Sequence, residues 1–383
     1  MRSVGIICEY NPFHNGHLFH LEQVKEKFPN HRIVLVMSGD FTERGDVSIM
    51  NKWDKTEIAL FYGVDLVVEL PFVFATQSAD VFAKASIELL NLLQVDYLVF
   101  GSECNQISRL IELAKIQLDH PKYNKLVKQY LEEGTNYPTA LSKALYDLSG
   151  KKIKEPNDIL GLTYIREIFK TNSSIKPVCI PRKNDYNALD LEGPMSSATS
   201  IRHALENGID ITPYVPEKTL DYLSHPHFTK DYFSLLKYKI LSDIDHLEQY
   251  QTVDEGIENR IRKFIVSTKN LDELILKIKT KRYTYNKLNR MFTHIICNVT
   301  KEEMKMFNKI EYIRVLGFSK KGRDLLKELK PSIPVPIITN FSSLHHPMLD
   351  MELRATAVYA SILEEREKMK LIESEYKNSP IMR

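Results

Sequence analysis

The stretch Glu9-Tyr10-Asn11-Pro12-Phe13-His14-Asn15-Gly16-His17 decides how the rest of the chain is read. Before it, Val4-Gly5-Ile6-Ile7-Cys8 is an apolar run of the length of a buried strand. After it, Leu18, Leu21 and Val24 recur at helical spacing, which predicts a helix over 16–27. Two histidines therefore flank a glycine at a strand-to-helix turn. Unpaired amides at a helix start, backed by the positive end of the helix dipole, form an anion site. Glycine admits close backbone approach, and imidazoles add hydrogen bonds or charge, so the turn reads as a nucleotide phosphate site. The same spacing also suits two turn histidines, one capping the helix and one exposed. Cys8 and His20 are the only further ligand types nearby, so metal coordination ranks below phosphate binding.

Outward from the turn, apolar runs alternate with helical periodicity. Strands are predicted at 4–8, 32–37, 65–70 and 97–100, with helices at about 16–27, 52–62 and 78–93 between them. That alternation implies right-handed βαβ units and a doubly wound parallel α/β sheet, with its ligand crevice beyond the carboxyl ends of the strands. From 106 to 169 the pattern is helical, and Asn157 or Asp158 suits a helix N-cap. A strand at 176–180 leads into the loop Pro181-Arg182-Lys183-Asn184-Asp185-Tyr186. Met195-Ser196-Ser197-Ala198-Thr199-Ser200-Ile201-Arg202 then enters a short helix that stops at Gly208.

Beyond about 210 the alternation ends, and Pro213, Pro216 and Pro226 interrupt helical patterns. Two units follow from this: residues 1–210, and a mainly helical 211–383. Within the second, 313–338 has a strand-helix-strand pattern, and a last helix is predicted over about 354–374.

At 383 residues, with 43% hydrophobic and 27% charged residues, the composition is that of an ordinary soluble protein. A net charge of +2 leaves any nucleic-acid affinity to a local patch. The best candidate is 277–290, where Lys277, Lys279, Lys281, Arg282, Lys287 and Arg290 interleave with Tyr283 and Tyr285, without an acidic residue. Lysine and arginine supply phosphate affinity, and tyrosines stack on unpaired bases; a solvated basic helix face reads the same way. Lys320-Lys321-Gly322-Arg323 is a second cluster. Four widely spaced cysteines, no apolar run near 18 residues and no leader-like start predict a cytoplasmic protein without a membrane span. Phe41–Asp46 and Lys52–Lys55 read equally as pocket residues or as a solvated loop and helix face. Trp53 and the 69–74 segment read as core.

NPFHNGH resembles the HxGH signature of the nucleotidyltransferase superfamily. SSATSIR (196–202) is similar to its second signature, ISSTxIR, with Ser196 in place of Ile and Ala198 in place of the second Ser. One family within it, the bacterial tRNA(Met) cytidine acetate ligases, is similar over nearly the full length. The matching segments are GIICEYNPFHNGH, KWDKTEIAL, DLVVELPFVFATQSADVFA, VFGSE, PNDILGLTYI, SSATSIR and KTKRYT.

The resemblance implies a chain that activates acetate with ATP as acetyladenylate. It then acetylates N4 of the wobble cytidine of elongator tRNA(Met). It also implies a nucleotide held along Ile7, Cys8, Glu9, Tyr10, Asn11, Pro12, Phe13, His14, Asn15, Gly16 and His17, with His20, Gly101, Asn157 and Arg182. Ser197, Thr199 and Arg202 of the second signature join them, and His14 and His17 are the catalytic pair. Mg²⁺ is expected with ATP, with no ligand set readable. A small-metabolite adenylyltransferase with a helical appendage is the alternative; the basic 277–290 segment and Ala198 count against it. A non-enzymatic RNA-binding protein with a regulatory nucleotide site is the second.

Overall fold

The computed structural model describes residues 2–182, 191 and 193–383. Lys183, Asn184, Asp185 and Tyr186 of the loop expected after the 176–180 strand lie outside the described residues. Eight strands form one sheet: β1 (Ser3–Cys8), β2 (Arg32–Ser38), β3 (Leu66–Leu70), β4 (Tyr97–Ser102), β5 (Lys176–Pro181), β6 (Ile313–Phe318), β7 (Ile337–Ile338) and β8 (Ile381–Met382). Their order is β5-β4-β1-β2-β3-β6-β7, with β8 paired to β6. β1 to β5 run parallel, Gly5 opposite Val34 and Val36 opposite Val68. β2 and β3 are buried at every residue, as strands covered by helices on both faces must be.

From β1 the chain builds outward through β2 and β3, then crosses back to add β4 on the other side. Strand order thus reverses between β1 and β4. That is where an open α/β sheet leaves a crevice at its carboxyl edge. The His14 turn leaves β1 at that edge. On the other side of the crevice the Pro156–Lys170 helix lies close against β4. A Cβ on Gly161 would sit 2.3 Å from the Phe100 ring, so only glycine permits that approach.

The expected doubly wound parallel sheet is present in β1 to β5, and β6 joins it antiparallel to β3 through a register shift at Val67/Val68. One expectation is corrected: residues 211–383 are not set apart as one helical unit. β6, β7 and β8 complete the sheet of the first half, and the principal apolar core runs from Val4 to Leu371. Only 233–295, with Phe233, Ile240, Ile261, Leu274, Leu288 and Ile295, closes a second apolar core of its own. The parallel-sheet pattern was visible because each early strand is a continuous apolar run. A late strand contributed to the edge of that sheet carries no sequence mark of its distant partner.

The expected 354–374 helix is two helices, Pro347–Ala360 and Glu365–Lys377. The cause is a buried ionic cluster. Lys52 Nζ lies 2.7 Å from Glu69, 3.2 Å from Glu352, 3.3 Å from Glu375 and 3.9 Å from Asp40. Arg314 bridges Glu69 at 2.7 Å and Glu375 at 2.5 Å. In a straight helix Glu352 and Glu375 would stand about 35 Å apart, so the chain must fold back to bring both to the same two cations.

Candidate active site

The Asn15–Lys27 helix has no Ser, Thr or Asp cap; the histidines cap it. His14 is extended, and its Nδ1 accepts from the Gly16 amide at 3.0 Å. His17 Nδ1 accepts from the His14 amide at 3.3 Å. With both Nδ1 atoms accepting, each neutral ring carries its proton on Nε2. The rings lie against one another with centroids 3.8 Å apart, and His14 is 2% exposed. Burial, reinforced by Arg182 and Arg202, drives the His14 pKa down to about 3, and burial with His14 and Arg182 drives His17 well below its usual value. The histidines therefore offer neutral N–H donors rather than charge. Neither is exposed in the sense of the bland reading, although both do cap. His20, one turn on, is lowered to about 4 by burial and then Arg182. Its Nε2 is buried without a hydrogen-bond partner.

These groups open onto a cleft of about 270 Å³. Ile7, Cys8, Glu9, Tyr10, Asn11, His14, Gly16, His17, His20, Gly101, Asn157, Arg182 and Arg202 line it, all from the expected set. The remaining members serve it from behind. Phe13 is fully buried and stacks on Tyr62 with centroids 5.2 Å apart, and the buried Pro12 precedes it at the turn. Asn15 Nδ2 donates to Pro194 O and Pro213 O at 3.0 and 2.9 Å, tying the first signature to the second. Ser197 caps the Ala198–Glu206 helix through the Ser200 amide, and Thr199 Oγ1 receives Arg202 Nη2 at 3.5 Å. Ala198 itself lines the cleft, so the hydroxyl missing from the second signature is missing from the cleft wall.

Arg202 Nη1 donates to Asn11 O at 2.7 Å, which fixes the guanidinium beside the histidine turn. Arg182 Nη1 donates to Asn157 Oδ1 at 3.3 Å. Gly101 serves this arginine: a Cβ there would meet the Arg182 side chain at 3.0 Å. Neither Asn157 nor Asp158 caps its helix; Glu155 takes the cap position with Pro156 behind it. Asp158 instead accepts from Ser102 Oγ and the Glu103 and Cys104 amides. Asn157 is thereby left facing the cleft, its Nδ2 on Glu103 at 2.5 Å.

The Phe41–Asp46 loop belongs to the cleft, with Thr42, Glu43, Arg44 and Asp46 in its wall. Glu9 Oε1 accepts from the Glu43 amide at 2.6 Å and from Ser38 Oγ at 3.4 Å. Lys55, fully buried, donates to Glu9 O, Ser38 O and Gly39 O at 3.1, 2.9 and 2.6 Å. Burial raises the Glu9 pKa and pushes Glu43 up to about 7 against the pull of Arg290. Sequence reading left Lys52 and Lys55 open as a solvated face. The available signal was that both interrupt the face carrying Thr56 and Ala59, which lies wholly inside.

The family model for HIGH nucleotidyl transferases matches residues 1–374. The curated tRNA(Met) cytidine acetate ligases of Anoxybacillus flavithermus and Bacillus subtilis are 38% and 37% identical to this chain. The alignments cover all of it and 100% and 97% of those proteins. The chain belongs to the tRNA(Met) cytidine acetate ligase family of HIGH nucleotidyltransferases. Crystal structures of Thermotoga maritima TmcAL agree: the apo form I superposes with TM-score 0.91 at 30% identity, and the form bound with alpha-thio ATP with 0.90 at 31%. Each covers 100% of this chain and 99% of its own.

In this family member the basic 277–290 segment is only partly a free surface. Tyr283 is buried, donating through its hydroxyl to Thr252 O and Asp254 O, so it is core and not a stacking platform. Lys287 lies 3.9 Å over the Tyr283 ring. Lys277 pairs with Glu273 at 2.6 Å. Arg290 reaches back across the chain to Glu43 Oε1 at 3.0 Å. Tertiary packing, with Tyr283 in the second core and Arg290 on Glu43, removed these two from the surface, which the charge count alone did not reveal. Lys279, Lys281 and Arg282 remain exposed. In the second cluster Lys320, Lys321 and Arg323 are exposed and Gly322 packs on Asp65 O. Among the described residues no three His, Cys, Asp or Glu side chains are grouped as a metal site. No helix among them is long and apolar enough to cross a membrane.

Proposed function

We propose that this chain is an ATP-dependent tRNA(Met) cytidine acetate ligase. An acetate oxygen attacks the α-phosphorus of ATP, pyrophosphate leaves, and acetyladenylate stays in the cleft. N4 of the wobble cytidine of elongator tRNA(Met) then attacks the acetyl carbon, and AMP leaves. The observation that carries this reading is the paired imidazoles, each committed through Nδ1 to the backbone and so presenting Nε2–H. Such donors are already oriented before charge grows on the phosphoryl oxygens and need no reorganisation as it does. Arg182 and Arg202, planar and permanently charged, line the same cleft and supply the compensating positive charge.

Mg²⁺ accompanies the nucleotide phosphates in this proposal. It would supply charge neutralisation there, and among the described residues no three-ligand group is gathered to hold it. The exposed Lys279, Lys281 and Arg282 give phosphate affinity beside the cleft, because their segment leads into the helix whose Arg290 holds Glu43. The test is incubation with ATP, acetate and elongator tRNA(Met), followed by mass spectrometry of the nucleosides. N4-acetylcytidine is expected. No product, or product only with acetyl-CoA, would overturn the reading.

A further inference from the structure

Besides Arg182, Arg202 and the neutral histidine donors, which suit phosphate, the cleft is lined by the carboxyl groups of Glu9, Glu43 and Asp46, with Thr42 and Arg44. Phosphate and acetate do not need these acceptors. An N–H donor does, and the exocyclic amine of cytosine is a nucleobase edge from which Glu and Asp side chains accept.

Glu9 is built to do more than accept. Its backbone is held by Lys55 Nζ at 3.1 Å. Its Oε1 is fixed by the Glu43 amide at 2.6 Å and Ser38 Oγ at 3.4 Å. Its Oε2 accepts no hydrogen bond from the described residues, and the side chain stands at the end of β1 in the wall of the cleft. The loop that supplies the Glu43 amide is carried on the Tyr285–Ile296 helix. Thr293 Oγ1 donates to Gly45 O at 2.6 Å and Arg290 Nη1 to Glu43 O at 3.2 Å. That helix begins directly after the exposed Lys281 and Arg282. A tRNA loop held by those cations is therefore linked through this helix to the loop whose Glu43 amide fixes Glu9.

We infer that Glu9 is the general base of acetyl transfer, taking the N4 proton of the cytosine through Oε2 while Glu43 and Asp46 form the base-binding corner. This rests on the ligase reading above. In the step, N4 forms a bond to the acetyl carbon and the bond from that carbon to the AMP phosphate oxygen breaks. The N4 proton passes to Glu9, which releases it to solvent after AMP departs. Nothing is oxidised or reduced. The base adjoins the nucleotide but acts only in the second half-reaction, so the two halves separate experimentally.

The test runs Glu9→Gln and Glu9→Asp beside the wild type in two assays, acetate-dependent ATP–pyrophosphate exchange and transfer to elongator tRNA(Met), with melting curves for all three. Glu9→Gln is expected to lower transfer about 100-fold more than it lowers exchange, with the acid limb of the transfer pH profile gone. Glu9→Asp, which keeps the charge but draws it back, is expected to recover part of the transfer rate and the acid limb. Transfer within about threefold of wild type in Glu9→Gln overturns the inference. So does loss of exchange in step with transfer in both variants. If Glu9→Gln fails to fold, Glu9→Asp decides by the same comparison. A wild type that makes no N4-acetylcytidine at all refutes the ligase reading instead, so the two failures are distinct.

Discussion

His14 does two jobs that a pair of substitutions pulls apart. Its Nδ1 caps the first helix, and its Nε2–H faces the cleft. His14→Ala removes both. The lost cap costs about 1 kcal/mol, which in a chain of this length lowers the melting temperature by no more than about 2 °C. The lost donor in a water-poor site costs about 10²–10³-fold in the chemical step. His14→Asn restores the cap, since an Asn side-chain oxygen accepts from the same amide, but places no donor where Nε2–H was. The amide of residue 14 still donates to His17 Nδ1 in both variants, so His17 keeps its tautomer. The assay is acetate-dependent ATP–pyrophosphate exchange at saturating ATP, with thermal melts in parallel. His14→Asn should melt like the wild type and remain as inactive as His14→Ala. Exchange that recovers along with the melting temperature would refute the argument, because the histidine would then serve only as a cap.

Three further outcomes follow from the same geometry. Lys52→Met removes the cation shared by Glu69, Glu352, Glu375 and Asp40, leaving Arg314 on Glu69 and Glu375, and should destabilise the fold by about 3–5 kcal/mol in urea unfolding; a change under about 1 kcal/mol would show that the cluster is not ionised. His294 gives a separable pH effect: burial holds it at about 4, so below pH 6.5 the unfolded chain binds a proton that the folded one refuses, and its contribution to stability is lost as pH falls. Glu9 and Glu43, raised by burial, act in the opposite sense, so the effect is read as a difference between two proteins. Relative to wild type, His294→Gln should lose about 1.5 kcal/mol less between pH 6.5 and 5 in urea unfolding, and an unchanged pH slope would contradict this. Lys281→Ala with Arg282→Ala should leave pyrophosphate exchange intact, raise the KM for tRNA and flatten the salt dependence of tRNA binding by about two counterions; equal loss of exchange would place these residues in the adenylation site.

The sequence by itself determined the early sheet, the helix that opens at the histidine turn and the histidine turn as a candidate anion site. Those depend on local signals: continuous apolar strands, and a glycine with two histidines at a strand end. The other expected cleft residues, Gly101, Asn157 and Arg182 among them, followed from the family resemblance. What it left open is long-range. Lys52 and Lys55 look like solvated lysines until the Pro347–Ala360 and Glu365–Lys377 helices fold back to bury Glu352 and Glu375. Arg290 and Tyr283 look like an RNA surface until packing turns one onto Glu43 and the other into the second core. Residues 313–382 look like part of a separate helical unit until β6 pairs antiparallel with β3. In each case the deciding partner lies far away in the chain, and a hydrogen bond or ion pair of that kind leaves no periodicity to read. The histidine turn itself needed both levels. Its spacing named a phosphate site, while only burial and the two amide-to-Nδ1 bonds decided that it acts as a pair of neutral donors.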